Sequence, residues 1–197
     1  MRTFETWKLR SPTDWPEDMG LAIPSSMSTD DIPDRFIELY LRFYQLNFIN
    51  EQGVSCVLMS SVLRRIMRLH GLPAIMKQVI LYWRNDKKGY NLLVGSPRDD
   101  KEMLQSDIDL HMVVKSDGWL LDFACSPIHY QYGYTCPRAI IMPWTKEMER
   151  HYVDLGMGGK ASYVENNIPH PKLKNWRYTQ RQDELDYTKR YFERYAL

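Results

Sequence analysis

Long apolar runs are missing from this 197-residue chain. No window approaches the ~20 apolar residues of a membrane-spanning helix, so a membrane partner is not expected. The opening residues, Met1-Arg2-Thr3-Phe4-Glu5-Thr6-Trp7-Lys8, lack the apolar stretch of a secretory signal, and the expected location is the cytoplasm. Charge of one sign is also missing: Lys+Arg number 26 and Asp+Glu 25, a net +1 that gives no broad basic surface for nucleic acid. Cysteine is scarce, and three is an odd number, which argues against a disulfide framework. There is no internal repeat and no low-complexity tract. Each cysteine is therefore weighed singly, as a small buried residue or as a chemical one.

What is present is an ordinary globular composition, with 44% hydrophobic and 26% charged residues, enough for one domain with a real core. Residues 1–28 are rich in Pro, Ser and Trp and are expected to form an irregular arm packed through Trp7 and Trp15. A helix is expected from Thr29 or Asp30 to about Asn47, with Ile32, Phe36, Leu39, Tyr40, Phe43 and Leu46 at helical spacing. A second helix is expected to start at Cys56, capped by Ser55, and to stop at Gly71. It is apolar round most of its circumference, with only Ser61, Arg64, Arg65 and Arg68 forming a polar stripe, so it is expected to be central. The three arginines read as a solvated face, and His70 as a residue whose partial positive charge suits a helix C-terminus.

After Pro73 the period changes. Ala74 to Tyr82, Tyr90 to Val94, Ile108 to Val114 and Trp119 to Ala124 read as strands, with residues 95–107 a loop and Ser116-Asp117-Gly118 a hairpin turn. A final helix is expected over about Gln182 to Tyr195. Helices followed by antiparallel strands give an α+β fold, a single domain over residues 1–197 with a catalytic core at 29–136 and a C-terminal extension at 137–197.

Cys56 is the chemically placed cysteine. At the first position of a capped helix, the dipole and unpaired N–H groups favour a thiolate, and the same N–H groups suit an oxyanion. His111 and Asp122 lie on the two arms of the hairpin. A two-residue turn of Ser116-Asp117 puts them directly opposite; Asp117-Gly118 pairs Asp122 with Val113, on the face His111 uses. Either even-numbered turn projects imidazole and carboxylate to one side within reach of each other, whereas an odd loop would put them on opposite faces. The expected catalytic triad is one in which Asp122 orients His111 and His111 deprotonates Cys56. Gln52 is the side-chain candidate for an oxyanion donor, beside the backbone N–H of Cys56.

Gly53-Val54-Ser55-Cys56, Ser60, Leu63, Met67, Gly71, Pro73-Ala74, then His111-Met112-Val113-Val114 and Trp119-Leu120-Leu121-Asp122 resemble the transglutaminase-like core of the papain-like superfamily. The match spans about residues 53 to 125. The resemblance implies a central cysteine-bearing helix packed on an antiparallel sheet. It also implies chemistry at an amide, peptide or thioester bond through an acyl-cysteine. Hydrolysis, as by a peptidase or amidohydrolase, is the first expectation because water is always at hand. Transfer to an amine is the second. A catalytically silent binding module is the third, with Trp7, Trp15, Tyr130, Tyr132, Tyr134 and Trp144 as its contact surface.

Other motifs are weaker. Cys125, His129 and Cys136 lack the paired spacing and fourth ligand of a zinc site, and neither metal nor another cofactor is expected. His151 and His170 have no evident partners. Gly156 to Lys160 lacks the Gly-Lys-Ser/Thr ending of a phosphate loop; Gly156 to Gly159 reads as flexible, a hinge beside a lid or specificity wall.

Overall fold

The computed structural model describes residues 20–50, 55–86, 89–95, 104–105, 110–125, 137–146, 152–155, 159–168, 170, 173, 176 and 180–196. The elements, in chain order, are β1 (Leu21–Ala22), α1 (Asp34–Gln45), α2 (Cys56–Leu69), β2 (Ile75–Asn85), β3 (Tyr90–Val94) and β4 (Leu104–Gln105). They continue with β5 (His111–Ser116), β6 (Trp119–Asp122), β7 (Ala139–Pro143), β8 (Val153–Leu155), β9 (Gly159–Glu165) and α3 (Arg181–Arg194). The fold is α+β.

Local chemistry sets the helix ends. The hydroxyl of Ser55 accepts the N–H of Leu58 at 3.1 Å and starts α2 at Cys56. At the other end Gly71 has φ 80°, and the N–H groups of Gly71 and Leu72 return to the carbonyls of Arg68 and Met67, a Schellman stop. The helix expected from residue 29 is instead a 3-10 turn, Thr29–Asp31, followed by α1. Pro33 is the reason: it forces Ile32 into extended backbone (φ −91°, ψ 132°) and breaks the run.

Among the described residues, nine strands form one sheet, ordered β1-β7-β6-β5-β2-β3-β4, with β9 also on β2 and β8 on β9. It is mostly antiparallel, but β1–β7 and β3–β4 are parallel. Pro24 bridges Leu155, and the N–H of Ser25 donates to Asp154 O at 2.8 Å. The sheet thus curls until β8 nearly meets the segment after β1. Side chains alternate across this curled sheet with period two. Val113, Leu120, Ile140 and Met142 point inward, to Val79, Leu81, Trp83 and Tyr163. Val114, Leu121, Ala139 and Ile141 point outward and bury the apolar faces of α1, α2 and α3.

Several expectations are corrected. Leu21–Ala22 is a strand beside β7, so the arm expected over 1–28 ends in the sheet; Trp7 and Trp15 lie outside the described residues. The loop expected at 95–107 contains β4. Residues after 137, read as a C-terminal extension outside the core, supply β7, β8 and β9 to the sheet. Gly159 opens β9 and is buried, and Gly156 to Gly158 lie outside the described residues. These strands are short and their partners are distant in sequence, so local pattern carried little trace of them.

The arginine stripe is also not simply solvated. Arg65 pairs with Glu184 of α3 at 3.3 Å, and Arg68 donates to Ala74 O at 2.9 Å. His70 has its pKa pushed down to about 4 by burial and then by Arg42. It sits as a neutral ring against Tyr191 and Phe192, not as a cationic cap.

Candidate functional site

The β5–β6 hairpin turns through Asp117 (φ 47°) and Gly118 (φ 79°), the left-handed pair of a type I′ turn. Ser116 pairs with Trp119 and Val114 with Leu121, so Asp122 stands at the level of Val113. This is the second of the two even registers, and it leaves His111 diagonal to Asp122 on the inward face. The diagonal is short enough: His111 Nε2 lies 2.6 Å from Asp122 Oδ2. The two side chains are 1% and 0% exposed, so the pair is removed from water.

The carboxylate takes two further donors. Oδ2 also accepts the hydroxyl of Tyr163 at 2.8 Å, and Oδ1 accepts the N–H of Ala124 at 3.0 Å. Tyr163 comes from β9, across the interior of the curled sheet. Burial opposes ionisation of Asp122, but the His111 charge and these three donors outweigh it and hold the carboxyl below its ordinary range. Burial likewise disfavours the imidazolium, yet the carboxylate, aided by Cys56, raises His111 to about 10. Tyr163 is pushed well above its usual value by burial and by Asp122, so it remains a hydrogen-bond donor.

With Nε2 on the carboxylate, Nδ1 is left for the hydrogen bond between His111 and Cys56. Cys56 is half-buried at the start of α2, and its thiol donates to Leu110 O at 3.2 Å. One turn later, Ser60 Oγ donates to Met112 O at 2.8 Å. Four residues of helix rise about 6 Å and two residues of strand about 6.6 Å, so α2 meets β5 at matched intervals on either side of His111. Gly95 passes against the same strand at φ 87°. A Cβ there would lie 2.4 Å from Val79 O and 3.1 Å from His111 Cβ, so glycine lets β3 end close behind the histidine.

All three residues expected to form the triad are therefore adjacent. Gln52, His129, Cys136 and His151 lie outside the described residues. Cys125 is buried, with its thiol near His111 and Asp122; the three ligand atoms fall within 4.8 Å of one another. Within this cluster Asp122 accepts from His111, Ala124 and Tyr163. Tyr163 was not foreseen. Its only sequence signal was the alternation Ala161, Tyr163 in a segment too short to name its partner.

No protein-family model and no curated protein matches the chain. A solved structure described as "The crystal structure of genomics APC5867" is similar at a TM-score of 0.50 and 17% identity, over 80% of this chain and 75% of that one. At that identity the likeness concerns fold alone.

Proposed function

We propose that the protein is a cysteine-dependent enzyme in which Cys56 attacks the carbonyl of an amide, peptide or thioester, with His111 as general acid–base and Asp122 as the group that orients it. The observation that carries this reading is His111 held between a half-buried thiol and a carboxylate with no exposure to water. A cysteine opening a helix, a histidine on a strand and an aspartate on the return strand, in that chain order, support a transglutaminase-like core.

In the reactive form His111 Nδ1 already carries the proton and Cys56 is the thiolate; the S–C bond forms, giving a tetrahedral oxyanion beside the N–H groups that open α2. His111 returns the proton to the leaving nitrogen or sulfur as its bond to carbon breaks, leaving acyl-Cys56. Water then loses a proton to His111, its oxygen bonds to the acyl carbon, and the S–C bond breaks, restoring the thiolate and the protonated His111. An amine in place of water makes the same step a transfer. Hydrolysis is preferred because it needs no second binding site.

The test is labelling of the native chain with iodoacetamide at neutral pH, the modified residue located by mass spectrometry. Cys56 is expected to react ahead of Cys125, and His111→Ala is expected to slow it. Labelling of Cys56 no faster than that of Cys125, or indifference to His111→Ala, would remove the assignment.

A further inference from the structure

The first turns of α2 and α3 lie side by side, and three polar side chains join them. Ser55 Oγ donates to Gln180 Oε1 at 3.2 Å, while accepting the N–H of Leu58. The indole N–H of Trp176 donates to the same Gln180 oxygen. Indole nitrogen can only donate, so it settles which end of the carboxamide is oxygen. The oxygen is taken up on both sides, and the NH₂ group is turned away from them with both hydrogens unclaimed among the described residues. Trp176 itself packs with Cys56 against Val57, Leu110 and Met112, which places the network at the nucleophile.

The backbone supplies the other half. In a capped helix the N–H of the third residue goes to the cap, here Leu58 to Ser55, and the N–H groups of Cys56 and Val57 have no intrahelical acceptor. We infer that Gln180 is a catalytic residue: its Nε2 joins the N–H of Cys56 as the side-chain donor to the oxyanion formed on acylation of Cys56. Ser55 and Trp176 are its positioning residues. This rests on the acyl chemistry proposed above and moves to the C-terminal segment a role that the sequence offered to Gln52. The last sixty residues then do more than complete the sheet; they deliver a donor to the start of α2.

Two probes of the full-length protein separate this inference from the reading it rests on. Iodoacetamide alkylates sulfur by displacement at a saturated carbon and forms no oxyanion; p-nitrophenyl acetate acylates sulfur through one. In Gln180→Ala, acylation of Cys56 is expected to fall by about 10²–10³-fold, the usual effect of losing one oxyanion donor. Alkylation should stay within about twofold, since that reaction draws nothing from the donor. Trp176→Phe keeps the ring and removes only the N–H that fixes the carboxamide. Its acylation is expected to fall by about tenfold with alkylation unchanged, a part of the full donor effect. A parallel fall of both reactions in both variants is the signature of a merely structural role and overturns the inference, as does acylation at the parental rate. A parental protein whose Cys56 is neither acylated nor alkylated ahead of Cys125 fails at the earlier step and takes the inference with it.

Discussion

The two sides of the His111 ring stand in opposite surroundings. Toward the interior of the curled sheet, Nε2 meets a carboxylate with 0% exposure and three donors from three places in the chain. Toward the helices, Nδ1 meets a half-buried thiol that also donates to Leu110 O. The interior side is over-determined: moving Asp122 breaks contacts to β5, β9 and its own loop at once. The outer side has few bonds, and each can be exchanged. A general base needs both conditions, an orientation that does not drift and a reacting partner free to change bonds.

The strongest way to break this contrast is at Asp122. Replacing it with alanine leaves a buried imidazole without its counter-charge and strands the hydroxyl of Tyr163. Loss of one member of a buried pair costs about 3–5 kcal/mol. Cys56→Ala, at the half-buried side, is expected to cost about 1 kcal/mol or less. Urea denaturation of the two variants measures both; equal costs would erase the distinction between the sides.

That contrast was only half visible in the sequence. The helix side was legible because its signals are local: Ser55 as cap, Cys56 after it, Gly71 as stop. The hairpin was legible up to parity. Both even turns keep His111 and Asp122 on one face, and choosing between them required knowing that Asp117 and Gly118 take the left-handed pair. The other wall was not legible. Tyr163 meets Asp122 across 41 residues of sequence, through a sheet whose β7, β8 and β9 run to only five, three and seven residues. Pairing of such strands is decided by distant partners, not by local propensity. Gln180 is farther still from Ser55, and nothing in its neighbourhood announces a partner at the start of α2.

A smaller effect is expected at Tyr163, where phenylalanine keeps the ring and removes one donor from the carboxylate. The cost of that lost bond is about 1–3 kcal/mol. The pH dependence says more. Burial opposes the charge of Asp122, but His111, Tyr163 and Ala124 hold its folded pKa below 3.8. That stabilisation is present above pH 3.8 and is lost as pH falls through the folded value. Without the hydroxyl, the folded value rises, so acid unfolding of Tyr163→Phe should begin at higher pH than in the parent. His111 sets the opposite limb. Burial lowers it, but Asp122 raises its folded value from 6.5 to about 10. Its stabilisation is complete below pH 6.5 and is lost as pH climbs through about 10. Tyr163→Phe should keep this alkaline decline, and Asp122→Ala should abolish it. Thermal melts between pH 2 and 11 distinguish the two, and an unchanged acid limb in Tyr163→Phe would show that the hydroxyl does not hold the carboxylate.

The smallest expected effect sharpens the comparison from the helix side. Ser60 is the one hydrogen bond, besides the thiol itself, that ties the start of α2 to β5 among the described residues. Ser60→Ala leaves Met112 O without that donor and should cost about 1 kcal/mol. If the thiol side is held loosely, the loss should be confined to stability: α2 stays packed through Leu58, Val62, Leu63 and Ile66, and Cys56 should keep its iodoacetamide rate within about threefold, a shift of well under 1 kcal/mol. A tenfold fall in that rate would mean that the position of Cys56 depends on a single serine hydroxyl. The thiol would then be as strictly held as the carboxylate, and the asymmetry across His111 would lie in burial alone.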